Sequence, residues 1–154
     1  MQTISCVICA YNEEHRIRTI LSAVIGHPLL KEIIVVNDGS TDETHALLAS
    51  YGDKLRLISY PQNRGKTHAL VQGIEAATGD LLMLLDADLT GVTPANISSL
   101  AEPILTGRSE VSMSLRRNSL RIYRALGIDF VSGERVLPRS LISDLVPQMQ
   151  KLPR

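Results

Sequence analysis

The sequence has no tryptophan, one phenylalanine and four tyrosines, so aromatic residues make up 3% of its 154 residues. So few rings leave no platform for stacking successive bases, the usual way of holding a single strand. Net charge is missing as well, because 16 Lys and Arg balance 16 Asp and Glu. Nucleic-acid binders are ordinarily basic, and both absences therefore exclude nucleic acid as a partner. Long apolar runs are also absent; Leu81-Leu82-Met83-Leu84-Leu85 is typical of the longest. A spanning helix needs about 18 such residues. No basic, then apolar, then small-residue leader opens the chain. Cysteine is scarce: Cys6 and Cys9 have C-x-x-C spacing but lie in Ile4-Ser5-Cys6-Val7-Ile8-Cys9, which reads as a buried strand. A strand sends positions i and i+3 to opposite faces. Zinc would need further ligands, and no second C-x-x-C supplies them. The pair reads as structural thiols, which suits a reducing, cytoplasmic compartment.

Apolar residues make up 44% of the chain, enough for a core. The length suits one domain of the usual ~100–200 residues. The zero charge conceals an asymmetry. Residues 1–102 hold 7 basic and 12 acidic side chains, whereas residues 103–154 hold 9 basic and 4 acidic.

Strand and helix patterns alternate along residues 1–105. Strands are expected at Thr3–Cys9, Glu32–Asn37, Leu55–Tyr60 and Leu81–Leu85, the last apolar throughout as in a strand covered on both faces. Ile17, Ile20, Leu21, Val24 and Ile25 form one helical face, closed by Gly26-His27-Pro28. Further helices are expected at Glu43–Ser50, capped by Thr41 or Asp42, and at Lys66–Ala77, with Leu70, Gly73, Ile74 and Ala77 inward. Thr93-Pro94 reads as an N-cap with proline at the first helical position, ahead of Ile97, Leu100, Ala101 and Ile104. The order implies an α/β fold with a mostly parallel sheet and helices on both faces. Beyond residue 105 the pattern weakens to a strand in Glu110–Ser114, a short basic helix at Ser119–Leu126, a strand-like Arg135–Leu137 and helical turns at Ser140–Leu145.

Open parallel sheets bind ligands beyond the carboxyl ends of their strands. The first, second and fourth strands end there in Ala10-Tyr11-Asn12-Glu13-Glu14, Asn37-Asp38-Gly39-Ser40-Thr41-Asp42 and Asp86-Ala87-Asp88. Two carboxylates one residue apart suit a hard divalent cation such as Mg²⁺, which takes one or two carboxylates together with substrate phosphates. Asp38 is placed to accept from a base N–H or a ribose hydroxyl, or to build a turn. Lys66 stands at a helix N-terminus, unfavourable for the helix itself and therefore suited to a phosphate. There is no G-x-x-x-x-G-K-[ST], G-x-G-x-x-G or G-x-S-x-G, so a P-loop, a dinucleotide site and a serine hydrolase are unsupported. His15, His27, His45 and His68 show no ligand spacing.

Taken in order, Ile8-Cys9-Ala10-Tyr11-Asn12-Glu13, Ile34 to Asp42, Asn63-Arg64-Gly65-Lys66 and Gly79-Asp80 leading to Leu85-Asp86-Ala87-Asp88 resemble the family 2 glycosyltransferases of GT-A (Rossmann-like) fold. The resemblance implies a nucleotide-sugar donor, UDP- or GDP-linked, and Mg²⁺ or Mn²⁺. It places Cys9, where the family typically has proline, and Ala10 at the donor through their backbone, with Tyr11 and Glu13 by the nucleoside. Asp38 would meet the base, Asp86 the ribose or sugar, and Asp88 the metal on the diphosphate, with Ala87 between them and Asp86 as a second metal candidate. Asp86 and Asp88 are thereby catalytic. Residues 1–105 become the donor-binding half and 106–154 an acceptor half that is short for the family.

In that second half Ser132-Gly133-Glu134-Arg135 resembles the S-G-x-R segment of polyprenyl-phosphate sugar transferases, and Arg116 matches a basic position there. The likeness assigns donor diphosphate or acceptor phosphate to Arg116 and to Arg135, the latter as a catalytic group. Arginine suits this because its planar fork bonds phosphate oxygens in pairs; solvated surface arginines are the alternative. The implied reaction is inverting transfer to a lipid phosphate or a glycan hydroxyl. A hydroxyl would need a base, for which Glu134 and Asp129 are the local candidates. Arg116, Arg117, Arg121 and Arg124 also allow a peripheral contact with an anionic membrane at its inner face. Two other readings stay open: a non-catalytic nucleotide-sugar-binding module or fragment, and a nucleotidyltransferase. The latter should carry a basic, glycine-rich loop after the first strand, where this chain has an acidic one.

Overall fold

A computed structural model of the chain describes residues 2–114 and 133–149. Six strands form one sheet in the order β3-β2-β1-β4-β6-β5. They are β1 (Ile4–Ala10), β2 (Leu30–Asp38), β3 (Arg56–Tyr60), β4 (Leu81–Asp86), β5 (Ser112–Met113) and β6 (Arg135–Pro138). The first four are parallel neighbours, and β6 runs antiparallel between β4 and β5. The helices are α1 (Ile17–Val24), α2 (Thr44–Ala49), α3 (Lys66–Ala76), α4 (Pro94–Leu105), α5 (Arg139–Ser143) and α6 (Val146–Met149), with a 3-10 turn at Gly52–Lys54. The expected elements form within two residues of their expected ends, and the expected basic helix at Ser119–Leu126 lies outside the described residues.

Alternation along the strands divides the core into two layers. Ile4, Cys6 and Ile8 of β1 and Leu81, Met83 and Leu85 of β4 pack with α1, Leu48 of α2 and α4. Val7, Leu82 and Leu84 pack on the other face with α3 and with Ile142, Val146 and Met149 of the last two helices. Both faces are covered, which explains why these strands read as continuous apolar runs. The two cysteines accordingly point into different layers as free thiols. On α3 the buried residues are Ala69, Val71, Gly73 and Ile74, while Leu70 is only partly buried. The buried face is wider than the sheet alone would require because α5 and α6 also lie against α3.

Capping follows the sequence. The Thr93 hydroxyl accepts from the Asn96 amide, and the Asn96 side chain accepts from the Thr93 amide at 2.9 Å, with Pro94 first in the helix. Asp42 accepts from the Thr44 amide at 3.0 Å ahead of α2. Beneath the sheet, Glu32 accepts from the Ser5 hydroxyl at 2.6 Å and from the Thr78 amide and hydroxyl, both at 2.7 Å. It ties β1, β2 and the turn before β4 together.

Burial raises the Glu32 carboxyl, but the bonds from Ser5 and Thr78 outweigh it and hold the group below its ordinary 4.5. A carboxylate depressed on folding adds stability that is present above its unfolded pKa and lost as pH falls through the folded one. Glu32→Gln should therefore lower the urea midpoint at neutral pH and flatten its fall on acidification. Urea titrations from about pH 7 down to about pH 3 check this.

Candidate active site

Cys9 of β1 lies opposite Asp86 of β4, and Ala10 opposite Asn37 of β2. Three strands thus end side by side, and the polar residues that follow them surround one cleft of about 380 Å³. Cys9, Ala10, Tyr11, Glu13, Asp38, Lys66, Asp86, Ala87 and Asp88 all line it. Asn63, Gly65 and Ala69 complete the lining. Burial pushes the Cys9 thiol up to about 12; Lys66 partly opposes this, while Asp86 and Asp38 add to it. Cys9 is therefore a neutral thiol in the cleft wall.

Asp38 is the deepest of these carboxylates, only 3% exposed. Its oxygens accept from the amides of Arg64 at 2.7 Å and Gly65 at 2.9 Å. Burial and the adjacent Asp38 together push the Tyr60 phenol up, so it stays neutral beside that carboxylate. Asp38 thus builds the turn that presents Lys66 and also borders the cleft. Gly39 must be glycine for this: its φ is +67° and a Cβ would lie 2.4 Å from the Gln62 carbonyl carbon.

Asp86 is held from two sides. Lys66 Nζ approaches Oδ1 at 2.6 Å, with the lysine side chain 69% exposed and the carboxylate 14%. On the other side stands Gly133, where a Cβ would lie 2.2 Å from Oδ2 and 2.6 Å from Cγ. Only a bare Cα lets the chain entering β6 approach so closely. Asp88, two residues on, is exposed. Among the described residues no third His, Cys, Asp or Glu joins the pair as a metal-ligand set. Two hard oxygen donors with the remaining positions open suit Mg²⁺ or Mn²⁺ bound jointly with a diphosphate. Since Asp86 already faces Lys66, Asp88 is the carboxylate best placed to hold such an ion.

The loops after β1 and β2 are laced together. Asn12 Oδ1 accepts from the Thr41 amide at 2.8 Å, and the Asn12 amide donates to Ser40 Oγ at 3.0 Å. The Glu13 amide donates to Thr44 Oγ1 at 2.8 Å, and the Glu43 amide to Glu14 Oε2 at 2.9 Å. The Glu13 carboxylate is paired with Arg16 at 2.8 Å.

Arg135 does not line the cleft: it pairs with Leu84, two residues before Asp86. Glu134 is 6% exposed, bonded by the Ser114 hydroxyl, and also lies off the cleft. Arg116, Arg117, Arg121, Arg124, Asp129 and Ser132 fall outside the described residues. Sequence reasoning gave Gly133 and Ala69 no role at the cleft. Gly133 acts through a close approach that no local pattern announces, whereas Ala69 follows from its position one turn inside α3, facing the strand ends.

Gly133→Ala should push the Asp86 carboxylate off Lys66 at a stability cost of about 1–3 kcal/mol, the usual range for overpacking. A crystal structure of the variant checks it; an Asp86 still seated on Lys66 would mean that β6 gives way instead.

Comparison with known proteins agrees with this geometry. The model of "Glycosyl transferase family 2" matches residues 5–124. Glucosyl-3-phosphoglycerate synthase of Mycobacterium tuberculosis is 30% identical over 160 residues, covering 96% of this chain and 49% of its own length. Poly-beta-1,6-N-acetyl-D-glucosamine synthase of Staphylococcus aureus is 38% identical over 91 residues, 57% of this chain and 22% of that protein. The crystal structure of the mycobacterial synthase with Mn²⁺, UDP-glucose and phosphoglyceric acid superposes with a TM-score of 0.76 at 28% identity, covering 92% of this chain and 58% of that one. The chain spans about half the length of the curated mycobacterial relative it matches. Among the described residues no helix is long and apolar enough to cross a membrane. With a family match across most of its length and a GT-A sheet carrying the expected strand-end clusters, the chain belongs to glycosyl transferase family 2.

Proposed function

We propose that this chain forms the donor-binding part of a metal-dependent glycosyltransferase that moves a sugar from a nucleoside-diphosphate sugar to an acceptor. The convergence of Asp38, Lys66, Asp86 and Asp88 with Tyr11 and Glu13 on one strand-end cleft carries the reading. A UDP-sugar is the favoured donor, since a relative of the same fold was crystallised with UDP-glucose and Mn²⁺. Tyr11 and Glu13 would border the nucleoside, Asp38 the base, and Asp86 the ribose or sugar. Asp88 would hold the divalent cation, with Asp86 beside it. The cation, when bound, neutralises charge on the departing diphosphate. Lys66, largely exposed and at the start of α3, is free to turn from Asp86 to a phosphate oxygen. Arg116 would serve the diphosphate or an acceptor phosphate from the second half of the chain, whereas Arg135, off the cleft and opposite Leu84, is not given that role.

Inversion at the anomeric carbon, with a hydroxyl acceptor, needs a base on the face opposite the diphosphate. Of the carboxylates lining the cleft, Glu13 is paired with Arg16, Asp38 with two amides and Asp86 with Lys66. Asp88 is the proposed metal ligand. Among the described residues, to which Asp129 does not belong, no cleft carboxylate is left as a base, and chemistry that requires no protein base is favoured. One route is inverting attack by an acceptor that is already anionic. The other is same-face transfer, in which the departing diphosphate takes the hydroxyl proton. Acceptors bearing a phosphate fit both the basic second half and the phosphoglyceric acid and glycerol 3-phosphate found in structures of the mycobacterial relative. The anomeric configuration of the product, read by proton NMR, separates the two routes.

Isothermal titration with UDP- and GDP-sugars in the presence of Mn²⁺ tests the reading. The wild-type chain should bind at least one donor in a metal-dependent manner, and Asp88→Ala should weaken that binding about a hundredfold. Absence of binding to every donor, with Asp88→Ala indistinguishable from wild type, would sink it. Pyrophosphate release from a nucleoside triphosphate and a sugar phosphate would point to a nucleotidyltransferase instead.

A further inference from the structure

We propose that Asn12 is a positioning residue for the nucleoside end of the cleft. Its carboxamide clamps the loop after β1 onto the loop after β2 and so fixes the angle at which Tyr11 and Glu13 meet the donor. The inference rests on the donor-binding reading above and extends it to a residue that does not itself line the cleft.

Backbone conformation is the first observation. Asn12 has φ +54° and is the one non-glycine residue with positive φ among those described. Most side chains avoid this region; asparagine tolerates it better than most, because its short amide can bond locally. The left-handed turn falls between Tyr11 and Glu13, both of which line the cleft. Tyr11 is 44% exposed, so its direction depends more on the backbone beside it than on packing.

The hydrogen bonds supply the second observation. Asn12 reaches the neighbouring loop with both backbone and side chain: its amide donates to Ser40 Oγ at 3.0 Å, and its Oδ1 accepts from the Thr41 amide at 2.8 Å and the Thr41 hydroxyl at 3.4 Å. Ser40 Oγ in turn donates to Asn37 Oδ1, and Asn37 precedes Asp38 in β2. The carboxamide thereby holds the loop carrying Tyr11 and Glu13 to Thr41, while the backbone amide of the same residue links it through Ser40 to the strand end carrying Asp38. The Glu13–Thr44 and Glu14–Asp42 bonds continue the seam beyond the cleft, towards α1 and α2.

Three variants separate the two properties of the residue. Asn12→Gly keeps the left-handed backbone and removes the acceptor. Asn12→Ala loses the acceptor and strains the backbone. Asn12→Asp keeps the acceptor and most of the tolerance, and raised salt screens its added charge. UDP binding with Mn²⁺ is measured by titration well below the unfolding temperature, so that only folded chain is read, and Thr41 amide exchange is followed by NMR. Asn12→Gly and Asn12→Ala should weaken UDP binding about tenfold, the loss expected for one clamping hydrogen bond, and speed Thr41 exchange. Asn12→Asp should restore most of both. If Asn12→Gly leaves Thr41 exchange unchanged there is no clamp. Faster exchange with unaltered UDP affinity means the clamp does not position the nucleoside, and the donor reading stands without it. A wild-type chain that binds no UDP or GDP ligand removes the donor reading and this proposal together.

Discussion

The pairing of β1 with β2 on one side and β4 on the other sets Cys9 opposite Asp86 and Ala10 opposite Asn37. From that register follows the side-by-side ending of the three strands at the cleft, with Asp86 beside Cys9. A slip of one residue in β4 would turn Asp86 to the α4 face and away from Lys66, because alternate residues of a strand face opposite ways. The register is well fixed. Both faces of these strands are buried, so a slip would exchange the residues of two differently shaped core layers along the whole strand. The packing of Ile8 and Leu85 on one face, and of Val7 and Leu84 on the other, is thus what locates the carboxylates.

Charge sets the second constraint. Among the described residues the cleft is lined by Glu13, Asp38, Asp86 and Asp88 against a single cation, Lys66. At separations near 4 Å, like charges at a protein surface repel by about 4 kcal/mol with an effective dielectric of 20. A diphosphate entering such a site needs its charge and that of the carboxylates neutralised. Three of the four carboxylates have local partners that use up their fields: Arg16, the turn amides of Arg64 and Gly65, and Lys66. Asp88 has no such partner among the described residues, and the proposed divalent ion would supply the countercharge that a diphosphate needs there.

The first 105 residues were legible in the sequence because their information is local. Apolar runs mark strands covered on both faces, the 3.6-residue period marks α1 and α4, and the polar clusters stand at the strand ends where parallel sheets place their sites. The roles of particular side chains were less legible. Asp38 was open to two readings, turn builder or ligand; it makes the turn bonds and lines the cleft at once, and only the donor contact awaits a test. The second half of the chain was harder because its order comes from tertiary pairing. β6 is four residues long and antiparallel, inserted between β4 and a two-residue β5. No local period announces such an insertion, nor the approach of Gly133 to Asp86. Resemblance supplied Arg135 there as a phosphate ligand, and the register sets it opposite Leu84, below the level of the cleft.

The near-absence of aromatic residues, which set aside base stacking, also bears on how a nucleoside could be held. Among the described residues Tyr11 is the one aromatic ring lining the cleft, and it is half-exposed on a loop. On the donor-binding proposal, these residues would recognise the base by hydrogen bonds and shape, which are more sensitive to misplacement than a broad stacking surface. That places the burden on loop geometry: on the amides gathered by Asp38, on the left-handed turn at Gly39, and on the seam of Asn12, Ser40 and Thr41 that joins the first two strand ends. A rigid seam reduces the ordering entropy that donor binding would otherwise have to overcome, and a sequence poor in rings gains more from that rigidity than one able to sandwich the base.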